Sequence, residues 1–188
     1  MTDRVHEHDP ECAVAHGELP HDPGQRRELV AVYATPLATT LLSWGRELGF
    51  TTGLVEPDDA RISAAARAAA DAIHTDPGDV EVGAWTDVVV TDHHRDDLGP
   101  VLAPLVRAQP RWIGIMGSVR HVGPHIAALR GEGVPDELIA TVHRPVGLDI
   151  GSKAPPEIAL ATLAGLLADR NGRAGGFPRP ASATATSA

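Results

Sequence analysis

Leu29-Val30-Ala31-Val32-Tyr33, followed by Ala34-Thr35-Pro36-Leu37-Ala38, is the stretch that decides the fold. Its first five residues are a short, unbroken apolar run, the pattern of a strand buried on both faces of a parallel sheet. Leu37, Leu41, Trp44 and Leu48 then recur at spacings of four, three and four, one face of a helix, and Gly49 supplies the stop. A buried strand that runs through a short turn into a helix is the opening of a parallel α/β unit.

The alternation continues downstream. Thr51 to Glu56 reads as a second strand ended by Pro57, and Ile62, Ala66, Ala69 and Ile73 repeat the helical spacing. Asp79 to Val82 has the pattern of a short strand, and Asp87 to Thr91 that of a buried one. Leu98, Val101, Leu102, Leu105 and Val106 mark an amphipathic helix. Arg111 to Met116 is a further strand, after which Gly117 begins a turn into a helix carrying Val122, Ile126 and Leu129. The last helix is expected from Pro155 to Arg170, with proline and Glu157 suited to its first turn. Short connections between alternating elements imply parallel strands joined by right-handed crossovers. The expected fold class is therefore α/β, a doubly wound, mostly parallel, Rossmann-like sheet flanked by helices, over residues 28–173. Residues 1–27, a head with His6, His8, His16 and His21, and residues 174–188, a Gly/Pro/Ser/Thr/Ala tail, read as disordered flanks.

Composition narrows the function classes. A chain of 188 residues suits one full hydrophobic core. With a net charge of -9 it lacks the basic character of a nucleic-acid binder. Charge or proline interrupts every apolar stretch before the ~18–20 residues of a membrane span, so no membrane anchor is expected. The N-terminus has no apolar signal region and Cys12 is the single cysteine, which together point to the cytoplasm. Aromatic residues make up 3%, so the core must be aliphatic, a composition that allows helices to pack closely on a sheet.

Ligands of such sheets collect beyond the carboxyl ends of the strands. A dinucleotide fingerprint needs glycines in the first turn, where this chain has Tyr33-Ala34-Thr35-Pro36-Leu37-Ala38. Tyr33 and Thr35 place side chains where the pyrophosphate should approach, and Pro36 removes an amide donor, so NAD(P) binding is disfavoured. Glu56 does stand where an acid would bind a ribose hydroxyl, although acids end such strands without any ribose. Gly117-Ser118-Val119-Arg120 has the ingredients of an anion site, with a glycine turn and a nearby cation, and equally those of a plain turn with a serine cap. Asp92-His93-His94-Arg95-Asp96-Asp97 could hold a metal or move protons, but a solvated loop with Asp97 opening the next helix is the preferred reading. His6, His8, Cys12 and His16 include metal-ligand types without a framework to orient them, so no metal site is expected. No catalytic residue is identified: a serine elbow and a Walker phosphate loop are both missing.

Three segments carry a family resemblance. They are Trp112-Ile113-Gly114-Ile115-Met116-Gly117-Ser118-Val119-Arg120, His143-Arg144-Pro145-Val146-Gly147-Leu148-Asp149-Ile150-Gly151, and Ala154-Pro155-Pro156-Glu157-Ile158-Ala159-Leu160. In order and spacing they resemble the Rossmann domain of the XdhC/CoxI family, accessory proteins of xanthine dehydrogenase and related molybdenum hydroxylases such as aerobic carbon monoxide dehydrogenase. The resemblance covers about residues 29–170. It implies a chaperone-like maturation role rather than turnover, with transient binding of molybdenum cofactor and its delivery to the apoenzyme. The implied partners are that apoenzyme, a sulfurase, or a separate XdhC/CoxI N-terminal module, and a homodimer is a further expectation. By position, the implied cofactor-binding residues are Gly117, Ser118, Arg120, Gly147, Asp149 and Gly151. The alternative for Gly147 to Gly151 is a rigid connector that docks the last helix. Where the family has Gly-Ala-Gly-His-Val-Gly after the first strand, this chain has Tyr33 to Ala38, and only about 28 residues precede the domain. The competing readings are an NAD(P)-dependent oxidoreductase and an interaction scaffold of the same fold without a ligand.

Overall fold

The computed structural model describes residues 26–118 and 122–176. The first strand, β1, spans Glu28–Val32, and the others are β2 (Thr51–Val55), β3 (Ala72–His74), β4 (Thr86–Val90) and β5 (Trp112–Ile115). All pair in parallel, in the order β3-β2-β1-β4-β5. The order reverses between β1 and β4, the switch point of a doubly wound sheet.

Alternation along the strands feeds two cores. Val30, Val32, Val88 and Val90 face helices α3 (Leu98–Arg107), α4 (Pro124–Gly131) and the short α5 (Asp136–Ile139). Leu29, Ala31, Leu54 and Val89 face α1 (Pro36–Glu47), α2 (Ala64–Ala69) and α6 (Pro155–Arg170). Each fully buried Leu or Val contributes ~1.5–3 kcal/mol, so the alternation fixes register firmly. Among the described residues, no helix is long and apolar enough to cross a membrane.

The structure corrects several expectations. On α1 the buried face is Ala38, Leu41, Leu42 and Gly45, while Trp44 and Leu48 stay partly exposed. The cause is close packing: a Cβ on Gly45 would meet the Leu29 side chain at 2.7 Å and that of Leu163 on α6 at 3.8 Å. The run Ile62 to Ile73 is not one helix. Ser63 caps α2 at its start, the helix ends at Ala69, and Ile73 lies in β3. The third strand is thus Ala72–His74, and the strand expected at Asp79 to Val82 does not form: a 3-10 turn, Pro77–Asp79, leads into irregular chain there. Val122 lies outside α4 and is exposed, whereas Ile126 and Leu129 pack inward. The histidine-rich head, apart from residues 26 and 27, and most of the tail lie outside the described residues.

At the amino ends of the strands a buried charge cluster anchors α6. Asp87 on β4 is fully buried and accepts from Arg111 Nε at 2.6 Å and Arg170 Nε at 2.8 Å. Arg111 also reaches Asp169 at 2.6 Å, and Arg170 Nη2 donates to Trp85 O at 2.7 Å. Burial pushes the Asp87 carboxyl upward, and the two arginines oppose that shift.

Candidate functional site

The carboxyl ends of the strands form a rim with two unlike halves. In the half above β1 and β2, the first turn is filled by the protein itself. Tyr33 is buried at a left-handed φ of 75°, a conformation a glycine would adopt with less strain. The Arg95 guanidinium sits 4.5 Å over its ring. Arg95 also pairs with both oxygens of Glu56, each at 3.2 Å, and with Asp97 Oδ2 at 3.0 Å. Burial, and then the Asp97 carboxylate, hold the Tyr33 phenol well above its ordinary pKa and hence protonated.

The donors that a pyrophosphate would need are engaged here. Ala34 N donates to Glu56 Oε2 at 3.0 Å, and Ala38 N to the capping hydroxyl of Thr35, also at 3.0 Å. Thr35 donates its own hydroxyl hydrogen to Thr91 Oγ1 at 2.9 Å. Glu56, the candidate ribose ligand, is 1% exposed and is bound by Arg95, Ala34 and Asp58. Asp97 does stand at the N-cap position of α3 but makes no side-chain cap bond, because its carboxylate faces Arg95. So the loop after β4 is partly solvated, as expected of His94 and Asp96, yet its central arginine is an internal strut.

The other half of the rim, above β4 and β5, is open. After α5 the chain returns to β5 and pairs at one bridge, Gly114 with His143, with Ile115 N donating to His143 O at 3.0 Å. It then crosses the end of the sheet as Pro145 to Lys153 before entering α6. Ser118, Gly147, Asp149 and Gly151 line one recess there, of about 670 Å³. Gly117 lines a second, of about 480 Å³, bounded by Asp92, His93 and His94 after β4. Ser118, Pro145, Val146, Ser152, Lys153 and Ile158 border both, which makes them lobes of one cleft.

Five of the residues implied by resemblance, Gly117, Ser118, Gly147, Asp149 and Gly151, thus line this cleft, but they are not equivalent. Asp149 and Gly151 are exposed, and a Cβ on Gly151 would meet nothing within 4 Å. Gly147 is different: at φ +88° its Cβ would lie 3.0 Å from Thr162 N and 3.1 Å from Ala161 C, in the backbone of α6. Leu148 N donates to Ala161 O at 3.1 Å beside it. Gly147 therefore packs closely against the backbone of α6 while it also borders the recess. A Cβ on Gly117 would meet Arg144 Nε at 2.7 Å, so its bare backbone admits that arginine. Arg120 lies outside the described residues. Sequence reasoning passed over Ser152 and Lys153, although Lys153 is the only lysine in the chain, a signal visible in composition. Among the described residues, no three His, Cys, Asp or Glu side chains gather as a metal site.

Gly147→Ala should destabilise the fold by about 2–4 kcal/mol, combining left-handed strain with a clash against helix backbone. Gly151→Ala, equally left-handed but unobstructed, should lose only about 1–2 kcal/mol. Denaturant midpoints of the two variants check this, and equal losses would show that Gly147 is not a packing residue.

Residues 29–166 match the family described as the XdhC Rossmann domain. Over 76 residues, 40% of the chain, the sequence is 40% identical to the uncharacterized protein YqeB of Escherichia coli K12. That match spans 14% of YqeB. A solved structure described as a xanthine dehydrogenase from Bacillus halodurans superposes with a TM-score of 0.64 at 24% identity, covering 78% of this chain and 45% of that one. At that identity the likeness is one of fold, and this chain spans less than half the length of either protein.

Proposed function

The chain belongs to the XdhC Rossmann-domain family, and we propose that it is an accessory factor in the maturation of a molybdenum hydroxylase of the xanthine dehydrogenase or carbon monoxide dehydrogenase type. In this reading it holds the molybdenum cofactor at the cleft above β4 and β5 and passes it to the apoenzyme. The observation that carries the reading is the contrast between the two halves of the rim. The nucleotide half is filled by Tyr33, Arg95 and Glu56, whereas the half built from the family segments is open.

The cleft suits such a guest in kind. Leu148, Ile150 and Ile158 offer apolar surface for a flat heterocycle, and Gly151 leaves its backbone uncovered. Lys153 supplies positive charge for an anionic group. A molybdenum-bound pterin presents both kinds of surface. In this reading the role is binding and handover rather than turnover. Partners in this scheme are the apoenzyme, a sulfurase or a separate N-terminal module of the same family.

Co-expression with a molybdenum hydroxylase tests the proposal. The tagged chain should retain the client, and the captured fraction should carry molybdenum and pterin above the background of a tag-only control. Saturating NAD or NADP should leave the melting temperature unchanged, since the first turn is closed. Neither client nor cofactor in the captured fraction would refute the accessory role, and a shift of several degrees with NAD would return the chain to the oxidoreductases.

A further inference from the structure

The inner lobe of the cleft combines charge with partial enclosure. Lys153 lines it together with the loop after β4, where the rings of His93 and His94 meet at a tilt of 39° with centroids 4.0 Å apart. Arg46, Arg67, Arg95, Arg111, Arg130 and Arg170 are all paired with carboxylates. Lys153 forms no ion pair among the described residues, although it is the only lysine in the chain. Asp92 is the acidic side chain bordering this lobe, and its Oδ1 already accepts from His94 N at 2.9 Å. Leu37, Met116, Val146 and Ile158 add apolar atoms to the lining, beside the hydroxyl residues Thr91, Ser118 and Ser152. An ammonium and an imidazole over an apolar floor strengthen the attraction for a compact anion, since less water screens it there.

We propose that the inner lobe is the acceptor site for a doubly charged phosphoryl group, such as the ester phosphate of a heterocyclic cofactor, with Lys153 and His93 as its cationic contacts. The outer lobe, with Leu148, Ile150 and the open backbone of Gly151, then takes the ring system. This deepens the cofactor-binding reading by giving the guest an orientation, phosphoryl end inward, and rests on that reading only for the natural ligand's identity. Lysine suits the task because its ammonium is a compact point charge on a rotatable stem, able to follow a tetrahedral anion.

The arrangement carries a pH dependence. Burial, then His94 and Arg144, hold His93 below the ordinary histidine value, and Asp92 opposes them. Lys153, on the segment leading into α6, faces the same lobe and adds positive charge. His93 is therefore mostly neutral in the empty protein near neutral pH. A bound dianion favours the imidazolium and raises the His93 pKa, so affinity grows as pH falls through that raised value.

Sulfate is the suitable probe, because its charge stays constant from about pH 8 to pH 6. Titrating the full chain with sulfate and with inorganic phosphate, the His93 imidazole resonances should titrate at higher pH, and Lys153 should be protected from acetylation as read by mass spectrometry. Sulfate should bind roughly tenfold more tightly at about pH 6 than at pH 8. Lys153→Met, with an unchanged melting temperature, should weaken sulfate about tenfold, and His93→Gln should remove the pH dependence while leaving residual binding. Unprotected Lys153, or a Lys153→Met chain that binds as well as the parent, overturns the inference. So does binding that ignores pH. Client capture is read separately: capture without anion binding refutes this site and leaves the accessory role standing, and the reverse result does the opposite.

Discussion

Arg95→Ala is expected to cost about 3–5 kcal/mol of folding stability, far more than the ~0–1 kcal/mol of an ordinary surface ion pair. The reason is what the arginine leaves behind. Glu56 is 1% exposed, and Arg95, itself only 12% exposed, binds both of its oxygens. Without the guanidinium, the carboxylate keeps only Ala34 N and Asp58 N as donors and remains an uncompensated buried charge. The same substitution uncovers the face of Tyr33 and frees Asp97. Guanidinium unfolding should show a lower midpoint with little change in slope. The double variant Arg95→Met with Glu56→Gln should recover most of the loss, because neutral partners of similar size carry no stranded charge. A single-variant loss below about 1 kcal/mol would mean that water reaches Glu56 and that the turn is not sealed.

Asp87→Ala is expected to lose a comparable amount, again about 3–5 kcal/mol, at the opposite end of the sheet. Here the stranded groups are cations. Arg170 is 8% exposed in its side chain, and both it and Arg111 direct Nε at the Asp87 carboxylate. Asp169 and Trp85 O hold part of that charge, yet neither replaces an oxygen between the two guanidiniums. Because the cluster ties the end of α6 to the sheet, the variant should also loosen that helix. Hydrogen exchange of the last turn, near Asp169 and Arg170, should quicken more than that of α3. Uniform acceleration across both helices would show that Asp87 acts on global stability alone.

Strands β1, β4 and β5 and helix α6 were legible in the sequence, because each contains an apolar run or is bracketed by proline, glycine and acid in helix-start order, and β2 was legible from the Gly49 and Pro57 that bound it. Ile62 to Ile73 was not. Its apolar residues keep a helical period across Ala70 and Asp71, where the chain in fact leaves the helix and turns into β3. Periodicity cannot see a break that falls between matching positions. The buried face of α1 was misread because large apolar residues look like core, whereas a close helix contact selects small ones such as Gly45. Within the candidate site, the family segments pointed to one rim of the sheet but not to which glycine packs and which lies open. That distinction depends on how near α6 passes to Gly147, a distance no local pattern encodes. The pairing of Glu56 with Arg95 joins residues 39 apart and was likewise hidden, although the lack of glycines in the first turn was readable from Tyr33, Thr35 and Pro36.

The sealed first turn has a consequence for the size of any guest. A two-armed molecule that stretches over the whole sheet end needs both seats, and one is occupied by Tyr33, Arg95 and Glu56, groups of the chain itself. Under the proposed function, discrimination between long and short visitors would then stem from shape.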